Sequence, residues 1–180
     1  MIEKNISAGE YIVGHLNHMV AFYAYFFVGF LVPFTMGHPQ PLVGSLVNAT
    51  LVLAALKFEN KKILPLLFAP SLGVLARGLI FGPMTPFLAI MIPFIWIGNA
   101  ILVYLIKDLQ KGKSTNYGIS LGIASLAKTG FLFSVAFVLV SASILPEMFL
   151  TAMGVLQLIT AISGGILAFV LNKAGINRIL

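Results

Sequence analysis

The sequence predicts an all-α, polytopic membrane protein that crosses the bilayer six times. Three observations carry that reading. The 180 residues are 59% hydrophobic and only 9% charged, against about 25% charged in a soluble domain, so the chain cannot cover itself with polar surface and needs lipid as its solvent. Its apolar runs approach or exceed the roughly 20 residues that a helix needs to cross a hydrocarbon core about 30 Å thick. Its basic residues crowd alternate turns between those runs and are missing from the others.

The runs follow one another as a single transmembrane domain over residues 1–180, with spans at about 11–36, 41–57, 63–81, 86–106, 117–140 and 146–172. Ser7-Ala-Gly-Glu10 has capping-box spacing, which predicts a helix start at Ser7. The first run exceeds the length of a span, so it is tilted or projects beyond the core. Gly37 to Gln40 makes a turn, and Pro41 suits the first position of the second helix. Glu59 to Lys62 is a charged turn; Pro65 and Pro70 then predict kinks in the third helix. Gly82 to Pro86 is a tight turn with Thr85 as the expected cap. Asp108 to Asn116 is the longest polar connection, and Ser141 to Leu145 turns the chain into the sixth span.

Orientation follows from the lysines and arginines. Lys4, then Lys57, Lys61 and Lys62, then Lys107, Lys111 and Lys113, then Lys173 and Arg178 all fall at one set of helix ends. The opposite turns hold none, which predicts cytoplasmic N and C termini in a cell (inner or plasma) membrane. The net charge of +6 is therefore a topogenic signal and not a nucleic-acid footprint. No cysteine is present, which removes disulfides, thiolate metal sites, iron–sulfur clusters and cysteine nucleophiles. The first apolar run lacks a small-residue cleavage pattern, so a cleavable signal is not expected. No Walker, dinucleotide-binding, nucleophile-elbow or metalloprotease pattern occurs, and neither an enzymatic activity nor a resident cofactor is expected.

What remains is a set of polar residues inside the spans. Lys128 stands near the middle of Tyr117–Val140, about eleven residues or roughly 16 Å from either end at helical rise, too deep for its side chain to reach the surface comfortably. Counted from the basic residue at each helix's inner end, Arg77, Lys128 and Gln157 fall in one layer roughly 22–24 Å up, with Asn48 and Asn99 lower at roughly 12–14 Å. All five acids, Glu3, Glu10, Glu59, Asp108 and Glu147, lie at or outside the boundary, so no resident carboxylate is expected to neutralise the two embedded cations. That vacancy predicts a small anionic or acceptor-rich solute bound among Arg77, Lys128, Gln157, Asn48 and Asn99, with Trp96 a candidate to stack on it. The plainer readings are snorkelling for Arg77, carbonyl contacts for Lys128, interhelical glue for the amides and core packing for Trp96. Asn48-Ala-Thr-Leu-Val before Lys57 and Asn99-Ala-Ile-Leu-Val before Lys107 form a short repeat on two helices of the same direction. His15 and His18 share a helix face, with only Glu10 near, and are read as an interfacial pair and not a metal site. Gly118-xxx-Gly122 and Ala161-xxx-Gly165 are read as close helix contacts.

The runs PLVGSLVNATLVLAAL, LLFAPSLGVLARGLI and MIPFIWIGNAILVYLI between Pro41 and Lys107, with SLAKTGFLF and LQLITAISGGILAFVLNK further on, resemble small six-helix membrane proteins related to the S components of energy-coupling-factor transporters. Those are the substrate-capturing subunits of vitamin and trace-metal uptake systems. The resemblance implies a ligand site opening outward and docking to a separate membrane coupling subunit and two ATPases. The nearest match to the Ala-xxx-Ala docking pattern on the first helix is Val20-xxx-Ala24, and position 2 is Ile where nickel and cobalt members carry histidine, so a metal substrate is not expected. The sequence thus predicts capture of a small solute, such as a vitamin or precursor, from the outer side for import. Its alternative is an accessory or structural subunit of a larger membrane complex, with Arg77 and Lys128 paired to acids on neighbouring chains.

Overall fold

A helix that is apolar on every side has to be surrounded, and the second helix is the one the others enclose. In the computed structural model, which describes residues 8–36, 38–81 and 85–175, α2 (Gln40–Lys57) is buried without interruption from Asn48 to Ala55. It touches α1 (Ala8–Thr35), α3 (Asn60–Phe81), α4 (Thr85–Lys107) and α7 (Val155–Lys173). The remaining helices, α5 (Tyr117–Ser141) and α6 (Met148–Met153), close the other side, with α5 against α4, α6 and α7. Among the described residues every regular element is helical.

Among the described residues, five stretches are long and apolar enough to cross a membrane: Leu16–Thr35, Gln40–Lys57, Thr85–Gly112, Tyr117–Ser141 and Met148–Lys173. The composition is that of a multi-pass membrane protein. α3 has the length, at 22 residues, and carries Lys61, Lys62, Arg77 and two prolines; among the described residues it is not one of the five. Large side chains left outward, such as Leu126, Phe137 and Val138 on α5 and Val155, Ile166 and Val170 on α7, are exposed, as lipid-facing positions are. α1 buries a narrow stripe at four-residue spacing, Ala21, Tyr25, Gly29 and Pro33, with Phe22, Phe26 and Phe30 half-buried beside it.

Several boundaries differ from the sequence expectation for local reasons. The long connection after α4 is shortened because Asp108–Gly112 continues it as a π-helical turn. α5 then starts under an Asn116 cap, whose side chain accepts from the Gly118 N–H at 2.9 Å. The last span is two helices. The chain breaks at Gly154 (φ −95°, ψ −103°), where a Cβ would come within 2.7 Å of the Leu150 carbonyl and 2.9 Å of Phe133. Ala161-xxx-Gly165 does face a neighbour, with Gly165 packed on Leu121 of α5, whereas Gly122 has open space and Gly118 meets only its own cap. The expected close contact at Gly118 and Gly122 is therefore not made, because both lie off the packed face of α5. The capping box at Ser7, the turn at residues 82–84 with Met84, and the side chains of Glu10 and His15 lie outside the described residues.

The interior is two apolar clusters and not one. The larger one joins α1, α2 and α3 to the lysine-bearing ends of α4, α5 and α7, including Leu51, Ile63, Leu66, Leu102, Ile106, Leu121, Ala124, Ala161 and Ala168. The smaller one lies at the far end and is built from Met91, Leu132, Ala136, Leu145, Phe149 and Met153. Along α4, α5 and the α6–α7 pair the order is the same: small cluster, polar residues, large cluster. A buried polar belt therefore separates two greasy compartments.

Candidate functional site

Lys128 is the centre of that belt. Its position on α5 puts it on the buried face with Leu121, Ala124, Ser125 and Leu132, and it is 2% exposed. The ammonium donates to Asn48 Oδ1 of α2 at 2.7 Å and to Asn99 Oδ1 of α4 at 3.0 Å. An ammonium has no acceptor to offer, so both amides must turn their oxygens toward it and their NH₂ groups away. Each NH₂ then finds an acceptor. Asn48 Nδ2 donates to Thr160 Oγ1 at 3.2 Å, and Thr160 donates in turn to the Gln157 carbonyl at 3.2 Å. Asn99 Nδ2 donates to the Leu67 carbonyl of α3 at 3.4 Å. One cation thus sets the hydrogen-bond direction across α2, α3, α4, α5 and α7.

Amide oxygens solvate a charge without cancelling it. Among the described residues the one ion pair is Lys113 with Asp108 at 3.7 Å, both exposed, and the described acids Glu59, Asp108 and Glu147 are all exposed. The third N–H of the ammonium has no acceptor among the described residues. A cation at the middle of a membrane helix costs roughly 3 kcal/mol even with adaptation, and two neutral acceptors offset part of that.

The six residues singled out from the sequence are not one constellation. Lys128, Asn48 and Asn99 converge, Gln157 joins through its backbone carbonyl, and Trp96 is one helical turn from Asn99 with its ring 4.6 Å from that of Phe68. Arg77 is elsewhere. Its Nη1 donates to the carbonyls of Phe34 at 3.3 Å and Thr35 at 3.0 Å, capping the last turn of α1. The expected single layer of Arg77, Lys128 and Gln157, with the asparagines below it, is corrected accordingly. Depth counted from Lys113 runs through residues 113–116, which are not helical, so it overstates the height of Lys128. Arg77 is only four residues from the end of its helix. The Asn48 and Asn99 repeats, by contrast, do one shared job: the same pentapeptide position on two helices grips one lysine.

Sequence reasoning missed Thr160, which links Asn48 to α7, and the Ser45 and Ser163 hydroxyls, 2.6 Å apart across the same helix pair. It also missed the buried hydroxyls of Ser71, Ser125 and Thr129. Each stands three or four residues from, or next to, a member of the belt, a spacing that could have found them. Close approach makes the α2–α7 seam possible: a Cβ on Gly164 would come within 2.6 Å of the Ser45 carbonyl and 2.7 Å of Asn48 Cβ. No group of three or more metal-ligating side chains occurs among the described residues. The chain matches no family model, no curated protein and no solved structure.

The separation of the two cations is measurable. In a double-mutant cycle followed by unfolding in mixed micelles, Arg77→Met and Lys128→Met are expected to add within about 0.5 kcal/mol, as independent sites do. Asn48→Leu and Lys128→Met are expected to couple by about 1 kcal/mol or more, because they remove two ends of one buried hydrogen bond.

Proposed function

We propose that the protein is a membrane-embedded solute-binding component that captures a small anionic or acceptor-rich molecule from the outer side for import. The observation that supports it is the Lys128 ammonium: buried, oriented by two neutral amides, and lacking a carboxylate within the described residues. A protein that needed only helix glue there could use an amide or hydroxyl at much lower cost. A cation retained at such depth is accounted for by an anion that visits it. Among the described residues no group of metal-ligating side chains accompanies the lysine, and chemistry on the solute is not proposed.

In this reading α3 is the sixth crossing, lodged against α1, α2 and α4, and both termini face the cytoplasm of an inner or plasma membrane. The likeness to energy-coupling-factor S components fits this reading, with a coupling subunit and ATPases supplied as separate chains. The accessory-subunit alternative loses part of its ground, because Arg77 and Lys128 both find partners within their own chain.

Two measurements bear on this. Purified in mild detergent, the wild-type protein is expected to release a small acid on denaturation, detected by negative-ion mass spectrometry. Lys128→Met is expected to release at least tenfold less while keeping its helical content, and equal release from both proteins would contradict the proposal. The native sequence has no cysteine, so single cysteines report topology without background. A cysteine replacing Ser143 is expected to react with an impermeant maleimide in intact cells, and one replacing Lys111 only after permeabilisation; the reverse pattern would invert the orientation.

A further inference from the structure

Four buried polar side-chain atoms have no partner among the described residues: Ser71 Oγ, Trp96 Nε1, Ser125 Oγ and Thr129 Oγ1. Leaving such an atom buried and unpaired costs about as much as breaking a hydrogen bond, so scattered instances are rare and a cluster has a cause. These four are clustered. Ser71 is one turn along α3 from Leu67, whose carbonyl accepts from Asn99. Trp96 precedes Asn99 by three residues on α4, Ser125 precedes Lys128 by three on α5, and Thr129 follows it directly. Residues three or four apart stack on one helix face, so Ser71, Trp96 and Ser125 border the hydrogen-bonded belt, and Thr129 is one turn along α5 from Ser125.

Ser71 and Trp96 belong together. The Phe68–Trp96 ring contact lays the indole against α3. The Leu67–Asn99 bond then places both Ser71 and Trp96 one turn from it, on the side away from the lysine-bearing end. Trp96 Nε1 can only donate, and Ser71 is 5% exposed with a hydroxyl free to donate. With the third N–H of Lys128, whose ammonium bonds the same Asn99, three helices each carry an unused donor within one turn of the Asn99 hydrogen bonds. Beyond it lies the smaller apolar cluster, with Met91, Leu132 and Ala136.

Resting on the proposed function, we infer that Ser71, Trp96 and Lys128 bind the carboxylate of a monoanionic acid whose apolar body lies toward the Met91–Leu132–Ala136 cluster. One ammonium balances one negative charge. A phosphate dianion would leave a second charge uncompensated, and the guanidinium fork that suits phosphate is committed to α1 at Arg77. Two carboxylate oxygens have room for three donors. Thr129, which follows Lys128 toward Leu132, completes the lining on the α5 side.

The test uses full-length protein in detergent and radiolabelled benzoate in equilibrium dialysis, with unlabelled benzamide as the neutral competitor of the same shape. Wild type is expected to bind benzoate saturably, to ignore benzamide, and to shift the emission of Trp96, the sole tryptophan. Ser71→Ala and Trp96→Phe are each expected to weaken benzoate roughly five- to tenfold, the loss of one hydrogen bond. Because it removes an idle polar atom and little else, Ser71→Ala should leave the thermal stability of the unliganded protein equal or higher. Benzoate bound by wild type, lost in Lys128→Met and held undiminished by both variants would overturn this carboxylate site while leaving solute capture standing. No benzoate on wild type, with a small acid still retained from the cell in a Lys128-dependent way, would also overturn the site alone. No retained acid and no benzoate would overturn both.

Discussion

The structure depends on how an ammonium is kept inside a greasy helix bundle. Lys128 cannot reach water, so the bundle brings it two carbonyl dipoles, those of Asn48 and Asn99. That demand propagates outward. The amides, turned oxygen-first, need acceptors for their NH₂ groups, which fixes Thr160 and the Leu67 carbonyl, and Thr160 needs the Gln157 carbonyl. The seam between α2 and α7 must then be tight enough for Asn48 to reach Thr160, and Gly44 and Gly164 keep it so: a Cβ on Gly44 would come within 2.8 Å of Thr160. Directional bonds of this kind specify helix register where lipid-like side chains, alike on all faces, would not.

The belt also divides the molecule. The larger cluster is continuous with the central α2 and is braced at the lysine-bearing end, where Lys107 donates to the Phe58 carbonyl at 2.8 Å and to Asn60 Oδ1 at 2.6 Å. The smaller cluster is built from α4, α5, the short α6 and the turn before it, and a groove of about 400 Å³ lined by Phe87, Val140, Ile144 and Glu147 opens beside that turn. The helix break at Gly154 sits where the smaller cluster meets α7.

Much of this was legible in the residues, and what was not has a physical reason. Composition and the placement of lysines suffice for a helical membrane protein, because lipid penalises charge and unpaired backbone so heavily. Lys128 was identifiable as the exceptional residue from its depth alone. The Asn48 and Asn99 repeat was visible, but the linear count set both asparagines below the lysine, and equal position on two helices does not say what they grip. Lys128 was set in one layer with Arg77 because a linear count assumes that each helix begins at its nearest lysine, and the partners of Arg77, two backbone carbonyls at the end of α1, have no sequence signature. The π-helical turn at Asp108–Gly112 was read from the sequence as polar connection, and the break at Gly154 goes with close approaches to Leu150 and Phe133 that exist only after packing. The same holds for Ser71, Ser125 and Thr129, ordinary residues that acquire meaning from their neighbours.

The most direct measurement gives the lysine a resident anion. Asn99→Asp places a carboxylate where an amide oxygen now accepts from Lys128 at 3.0 Å, with almost no change of shape. If the ammonium is held open for a visiting anion, the variant should be at least as resistant to unfolding as wild type and should release at least tenfold less small acid when denatured, the two measured on one preparation. Undiminished release from a folded Asn99→Asp protein would mean that the charge of Lys128 is not what the solute answers to.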